Sequence, residues 1–304
     1  MDDGTVTVGI DGSPASRVAV SWAVDRSRHV PTSLELVTVV PEAPFHAEFQ
    51  ATARRHHEAG LAEAVESARA SAPGLPVTAS LREGHVAAEL VRASESTGLL
   101  VVGTDKSSHV RRLVYGTVPL RLAALSACPL VVVPRSWTPR QQRILLAVGD
   151  DEPAPAAVAF AAAEAQARGL PLDLVHVWGA APAYPTPLYL ADYPWQSAEE
   201  AARELIGRTL QQVRSAHPGL TVSAHLTEGP TIPRLIEAAE TAQLLVVGRH
   251  GRGIFRDLLQ LGSVAHDVLL NPPVPIAVVP GQRRPDRGGP FRHGEELPET
   301  TTAG

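Results

Sequence analysis

Two glycine-bearing stretches carry the residue types best suited to holding a phosphate. The first runs Gly103-Thr104-Asp105-Lys106 and resumes at Gly116-Thr117-Val118; the second runs Gly248-Arg249-His250-Gly251-Arg252-Gly253 and resumes at Gly262-Ser263-Val264. A glycine-lined loop leading into a helix start offers free backbone N–H groups and the positive end of the helix dipole to an anion. The plainer role of the same glycines is a turn that needs positive φ. Lys106, Arg249 and Arg252 are either exposed loop residues or side chains within reach of the same phosphate. A third stretch, Val8-Gly9-Ile10-Asp11-Gly12-Ser13-Pro14, reads as a strand end, an Asp-Gly turn, a Ser13 helix cap and a proline at the first helical position. Asp11 is a ligand candidate there, or simply a cap for the helix that follows.

Other chemistries find little support. No GxxxxGK[ST] pattern occurs, and neither first strand is followed by GxGxxG; Gly251-x-Gly253 lies elsewhere and lacks the third glycine. GxSxG is absent and no Ser-His-Asp arrangement stands out, so no catalytic residue is assigned. His56 and His57 are neighbours on a helix and diverge by roughly a hundred degrees, which does not suit a shared metal. His250 and His266 add no metal set. The one cysteine, Cys128, excludes an intrachain disulfide and a cysteine zinc site, and it reads as a small buried residue.

The elements that must position these loops come in two matching sets. LELVTVV at 34–40 returns as LDLVHVW at 172–178, an offset of 138. REGHVAAELVRASESTGLLVVG at 82–103 returns as TEGPTIPRLIEAAETAQLLVVG at 227–248, offset 145, and CPLVVVP at 128–134 as VPIAVVP at 274–280, offset 146. The period is domain-sized, well beyond that of a solenoid repeat. In the first copy we expect strands near 5–10, 34–40, 76–81, 99–103 and 129–133, with helices near 14–29, 51–72, 85–97 and 117–127. The second copy repeats the strands near 143–148, 172–178, 221–226, 244–248 and 274–279. Runs such as Leu99-Leu100-Val101-Val102 are apolar without alternation, as strands covered on both faces should be. Alternating strands and helices point to an α/β class of two tandem, doubly wound parallel sheets.

The 304 residues allow two cores of about 150 residues each. A net charge of −5 leaves no basic footprint for nucleic acid, and no apolar run is long enough to span a membrane. The start, MDDGTVTVGIDGSPAS, lacks the pattern of a signal peptide, and with the cysteine count it favours a cytoplasmic location. We expect domains at 1–134 and 141–281, a stiff two-proline linker at 135–140 and a disordered tail at 282–304. An insertion at 179–197 holds three of the four tyrosines and Trp195, and it suits packing against the other domain or another subunit before a lid or an adenine platform. The apolar final strands, LVVVP and PIAVVP, would lie at sheet edges that need a cover.

On these residues the chain resembles the universal stress proteins in their tandem form, over about 4–134 and 141–281. The marks are VGIDGSPAS and the family's glycine pattern, G-x2-G-x9-G-[ST], after the fourth strand. The second copy matches with Gly248, Gly251, Gly262 and Ser263, with ten residues instead of nine before the last glycine. The first matches with Gly103, Gly116 and Thr117, but Lys106 stands where the second glycine belongs. The resemblance implies an adenine nucleotide alpha hydrolase-like fold of five-stranded sheets in the order 3-2-1-4-5. It also implies ATP as ligand, adenine near the first two strands, phosphates on the glycine loop, Mg²⁺ beside the triphosphate, and a homodimer formed through the final strand. Gly9 and Asp11 would form the nucleoside half in the first copy; the offset of 138 sets Gly149 opposite Asp11, and Asp150 takes that role only with a one-residue gap. Val118 and Val264 follow the last motif positions.

The leading expectation is therefore a cytoplasmic stress-response protein in which ATP binding regulates a domain or partner surface. The alternatives are an interaction and dimerisation module that no longer binds nucleotide, for which Lys106 and Gly149 speak, and a slow ATP hydrolase.

Overall fold

The computed structural model describes residues 4–41, 47–105, 117–140, 142–150, 155–179, 195–249 and 261–281. The first repeat runs β1 (Thr5–Ile10), α1 (Pro14–Ser27), β2 (Ser33–Val40), α2 (Ala47–Ser71), β3 (Val77–Glu83), α3 (Val86–Ala93), β4 (Leu99–Thr104), α4 (Thr117–Leu125) and β5 (Leu130–Pro134). The second runs β6 (Arg143–Val148), α5 (Pro155–Arg168), β7 (Leu172–Trp178), α6 (Trp195–Ala216), β8 (Val222–Glu228), α7 (Thr231–Ala239), β9 (Ala242–Gly248), α8 (Ser263–Leu270) and β10 (Ile276–Val279). The expected tail at 282–304 and residues 180–194 of the insertion lie outside the described residues.

The strand expectations hold to within a residue or two, because burial on both faces selects the continuous Val/Leu runs. In β4 and β5 the residues Leu99 to Val102 and Leu130 to Val133 are all buried. Helix α3 stops at Ala93 instead of continuing to 97. There the Ser94 hydroxyl donates back to the Val91 carbonyl and accepts the Ala127 N–H at 2.9 Å, so a side chain takes the place of the helical ladder.

Each repeat has the strand order 3-2-1-4-5, and the two halves join into one ten-stranded sheet, β3-β2-β1-β4-β5-β10-β9-β6-β7-β8. Within each half the pairs are parallel; β5 and β10 alone run antiparallel, with Val132 opposite Ile276, Val131 opposite Ala277 and Leu130 opposite Val278. At the sequence offset of 146, Val131 and Ala277 are equivalent positions, so this pair sits on the pseudo-twofold that relates the repeats. The final strands, expected to need a cover, thus cover each other within one chain. The edge assigned to a second copy of the chain is filled by the chain itself, and both members of the central pair are fully buried. A homodimer through that strand has no free backbone to use.

Two cores follow, one on each face of the sheet, and both run across the repeat boundary. One is built from α1, α2, α5 and α6 around Val8, Trp22, Leu36, Leu146 and Leu174. The other is built from α3, α4, α7 and α8 around Leu100, Leu122, Leu245 and Ile276. Cys128 is buried in the second, which pushes its thiol up to about 12 and keeps it protonated. The linker is tied down at several points: Arg135 N–H donates to the Thr104 carbonyl at 3.0 Å, Trp137 N–H to the Pro134 carbonyl at 2.9 Å, and Arg140 N–H to Gln243 Oε1 at 3.2 Å.

Helices α1 and α5 meet across the repeat boundary through charge. Arg26 and Glu164, again equivalent positions, pair at 2.6 Å with side chains 11% and 2% exposed. Arg168 donates Nε to the other Glu164 oxygen at 3.3 Å and Nη1 to Asp25 at 3.2 Å. One carboxylate thus neutralises two buried guanidiniums. Removing it leaves Arg26 without a carboxylate and Arg168 with Asp25 alone, a loss of about 3–5 kcal/mol. In denaturant unfolding of the whole chain, Glu164→Gln is expected to lower stability by that amount, and Arg26→Met with Glu164→Met by clearly less. Equal losses in the two variants would show that the pair contributes packing alone.

Candidate functional site

In an open parallel sheet a ligand enters beyond the carboxyl ends of the strands where the strand order reverses. Those points lie between β1 and β4 in the first repeat, and between β6 and β9 in the second.

In the first repeat, β1 ends at Ile10 and delivers Asp11 to the surface. Asp11 Oδ1 accepts the Ser13 N–H at 2.9 Å, and the Ser13 hydroxyl accepts the Ser16 N–H at 3.1 Å, so an aspartate turn and a serine cap start α1 together. The second carboxylate oxygen of Asp11 takes no hydrogen bond among the described residues. Gly12 turns at φ +75°, and its Cα lies 3.2 Å from where a Cβ on Gly60 of α2 would stand. Gly9 faces α3, where a Cβ would crowd Val102 and Leu90 at 3.2 and 3.3 Å, so its part is helix packing. Gly103, at the end of β4, is pressed against the first turn of α1: a Cβ there would stand 2.2 Å from the Ala15 carbonyl oxygen. That contact brings the Asp11 turn beside the start of the glycine loop. Gly116 and Lys106 lie outside the described residues; Thr117 opens α4, and Val118 packs against the core, leaving only its backbone for a ligand.

Three side chains that sequence reasoning did not place at the site gather there. The Thr38 hydroxyl donates to the Ile10 carbonyl at 2.8 Å, which leaves it to accept from His57 Nδ1 at 3.0 Å. The His57 tautomer follows, with its hydrogen on Nδ1 and a lone pair on Nε2. Burial first, then the neighbouring His56, holds His57 below the ordinary histidine range, and Asp11 opposes them. The His56 and His57 rings meet edge to face at 6.1 Å, consistent with their divergence along the helix.

The second repeat builds the same crevice with different atoms. Val148 pairs with His176 as Ile10 pairs with Thr38, so the register places Gly149 in the position of Asp11 and Asp150 one residue further on, both exposed. His176 Nδ1 donates to the Val148 carbonyl at 3.0 Å, replacing the threonine of the first repeat. That exchange was visible in the matched segments LELVTVV and LDLVHVW, where Thr38 and His176 align.

The glycine loop of the second repeat is closed at its base. Gly262 N–H donates to the Arg249 carbonyl at 2.8 Å, and Arg249 N–H to the Val279 carbonyl at 2.8 Å. Gly248 is thereby held beside Gly262 and Ser263, where α8 begins with no side-chain cap on its first N–H groups. Val264 packs on the core and presents only backbone. The Arg249 side chain reaches across the repeats and donates to the Ser126 carbonyl, which gives it a structural task other than phosphate binding. Gly251, Arg252 and His250 lie outside the described residues, and no cluster of metal-ligating side chains occurs among those described.

Known proteins agree with this architecture. The model of the universal stress protein family matches residues 4–134 and again 141–280. A universal stress protein of Mycobacterium tuberculosis is 29% identical over 298 residues, covering 90% of this chain and 94% of its own length. One from Mycolicibacterium smegmatis is 29% identical over 292 residues, covering 90% and 96%. The crystal structure of a universal stress protein from Archaeoglobus fulgidus shares the fold with a TM-score of 0.68 at 18% identity, covering 92% of this chain and 97% of that one. With both halves matched and the strand order 3-2-1-4-5 repeated in each, the chain belongs to the universal stress protein family.

Proposed function

We propose that the chain is a cytoplasmic regulatory protein of the stress response that binds ATP in the crevices at the two switch points. The observation that carries this reading is the closed base of the second glycine loop, where Gly248, Gly262 and the uncapped start of α8 converge. Backbone N–H groups of Ser263 and Val264, at the positive end of the helix, suit a polyphosphate. In the first repeat the unengaged oxygen of Asp11 suits a ribose hydroxyl, and the Thr38–His57 pair borders the place for a base. Mg²⁺ would reduce the charge of the triphosphate; the chain's part is to orient it with backbone dipoles. The two crevices differ in their nucleoside halves, since Gly149 stands where Asp11 would be, and so their affinities should differ.

Calorimetric titration of the nucleotide-stripped chain with Mg-ATP tests this directly. Gly262 has φ −67° and ψ 152°, a conformation alanine accepts, so Gly262→Ala reports on close approach of a ligand without backbone strain. We expect it to weaken binding in the second repeat about tenfold, equivalent to about 1.4 kcal/mol. Asp11→Ala should weaken only the first site, by a similar factor. If neither variant moves the isotherm, or if no heat is seen to millimolar concentrations, the nucleotide reading fails and the interaction module takes its place.

Gly103→Ala addresses the frame of the crevice and not its ligand. A backbone contact at 2.2 Å cannot be relieved by a rotamer, so α1 must move, at about 1–3 kcal/mol by chemical denaturation. A neutral outcome would mean that the close packing of α1 on β4 is absent in solution.

His57 gives a pH signature. Its folded value lies below the unfolded one, so the unfolded chain binds the extra proton more readily. The contribution of a neutral His57 is complete above the ordinary histidine value of about 6.5 and declines as pH falls through and below it. Melting temperature should drop over that range, and His57→Gln should flatten the drop. The same slope in both proteins would assign the effect to other groups.

A further inference from the structure

Among the described residues, Arg168 is one of the buried groups left with an unmade hydrogen bond. Arg168, at the end of α5, uses Nε on Glu164 and Nη1 on Asp25, and its side chain is only 4% exposed. Its Nη2 is buried and has no hydrogen-bond partner. An unsatisfied donor of a buried guanidinium is costly, and such a group calls for an acceptor that the protein itself does not supply.

The residue borders a groove where α1, the linker and α5 meet. A cleft of about 100 Å³ is lined by Asp25, His29, Pro139, Arg140, Arg168 and Leu170. Through Asp25 and Pro139 it continues into a larger hollow of about 310 Å³ beside Val18, Val24, Arg28 and Trp137. Trp137, which borders it, carries another buried donor without a partner, its indole Nε1. The His29 ring makes no hydrogen bond among the described residues. Arg140 spends Nη1 on the Glu240 carbonyl at 3.2 Å and keeps other donors. Asp25, the one carboxylate on the cleft lining, already receives Arg168.

The charge count has the same sign as the donor count. Arg26, Arg140 and Arg168 face the two carboxylates Asp25 and Glu164, one positive charge in excess before Arg28 is included. The narrow part has room for a few water molecules at about 30 Å³ each, which suits one tetrahedral or planar oxyanion and excludes a nucleotide. The hollow beyond it, bordered by two valines and an indole, suits a short organic body.

We propose that this groove between the repeats binds a small anionic molecule, its carboxylate or phosphate group against the charged side chains of Arg168 and Arg140 and the His29 ring, and its body against Trp137. The site is separate from the crevices at the carboxyl ends of the strands. Its walls come from both repeats and from the linker, so an occupant holds the two halves together and adds stability by mass action.

The test uses the full-length chain and its own tryptophan emission, titrated with inorganic phosphate and, separately, with acetate at matched ionic strength. A saturable change with either anion, accompanied by a rise in melting temperature, is the expected result, and the anion that acts identifies the headgroup class. His29→Ala and Arg140→Ala should each raise the dissociation constant at least about fivefold. Arg168→Gln should abolish the response; since Arg168 also joins the repeats, the other two variants decide the matter should this one fail to fold. Trp137→Phe should remove the optical signal and keep the thermal shift, while Gly262→Ala should leave both intact. The proposal is overturned if neither anion gives a saturable response, if the His29 and Arg140 variants respond as the parent does, or if Gly262→Ala removes the effect, which would place the anion on the glycine loop.

Discussion

The pairing of β5 with β10 is the constraint on which the rest of the molecule depends. Each repeat ends on a strand that is buried on both faces and would otherwise offer a row of open backbone groups. Joining these strands antiparallel satisfies both at once and makes ten strands of two fives. It also lets both cores run through the boundary, so the repeats do not behave as beads on a string. The buried quartet Asp25, Arg26, Glu164 and Arg168 lies over the same boundary, with one carboxylate shared by two guanidiniums.

Duplication followed by divergence explains why the two crevices are alike in frame and different in atoms. The frame is set by backbone: a strand reversal in both repeats, a helix pressed on Gly103 in the first, and a loop closed by main-chain bonds in the second. None of that depends on whether the residue after β1 or β6 is aspartate or glycine. Side chains are then free to change, and they have: Thr38 with His57 on one side, His176 on the other, Asp11 against Gly149. Gly103 shows how one glycine can serve the frame whatever its part in a ligand site, because the Ala15 carbonyl leaves no space for a side chain.

The architecture was open to reading from the chain because local signals all agreed. Uninterrupted apolar runs marked strands covered on both faces, and three ordered matches between the halves fixed their equivalence. The glycine positions Gly103, Gly248 and Gly262 were likewise legible, since each follows a strand or precedes a helix in both copies. His56 and His57 were visible only as neighbours on a helix. Their approach to Thr38 depends on where α2 crosses the sheet, and a helix period does not encode a crossing.

The sequence by itself thus determined the elements, their order and the repetition, because each is a matter of periodicity and near neighbours in the chain. It also determined which residue types could meet a phosphate. Only the tertiary structure decided that the final strands find one another, that Arg249 reaches the Ser126 carbonyl, and that Arg168, beside a groove, retains an unused buried donor. Those outcomes join residues more than a hundred positions apart, and what unites them is the burial of polar groups. A strand edge, a guanidinium or a carbonyl removed from water must find a partner wherever the packing brings one. That demand is global, and no local pattern in the chain can state it.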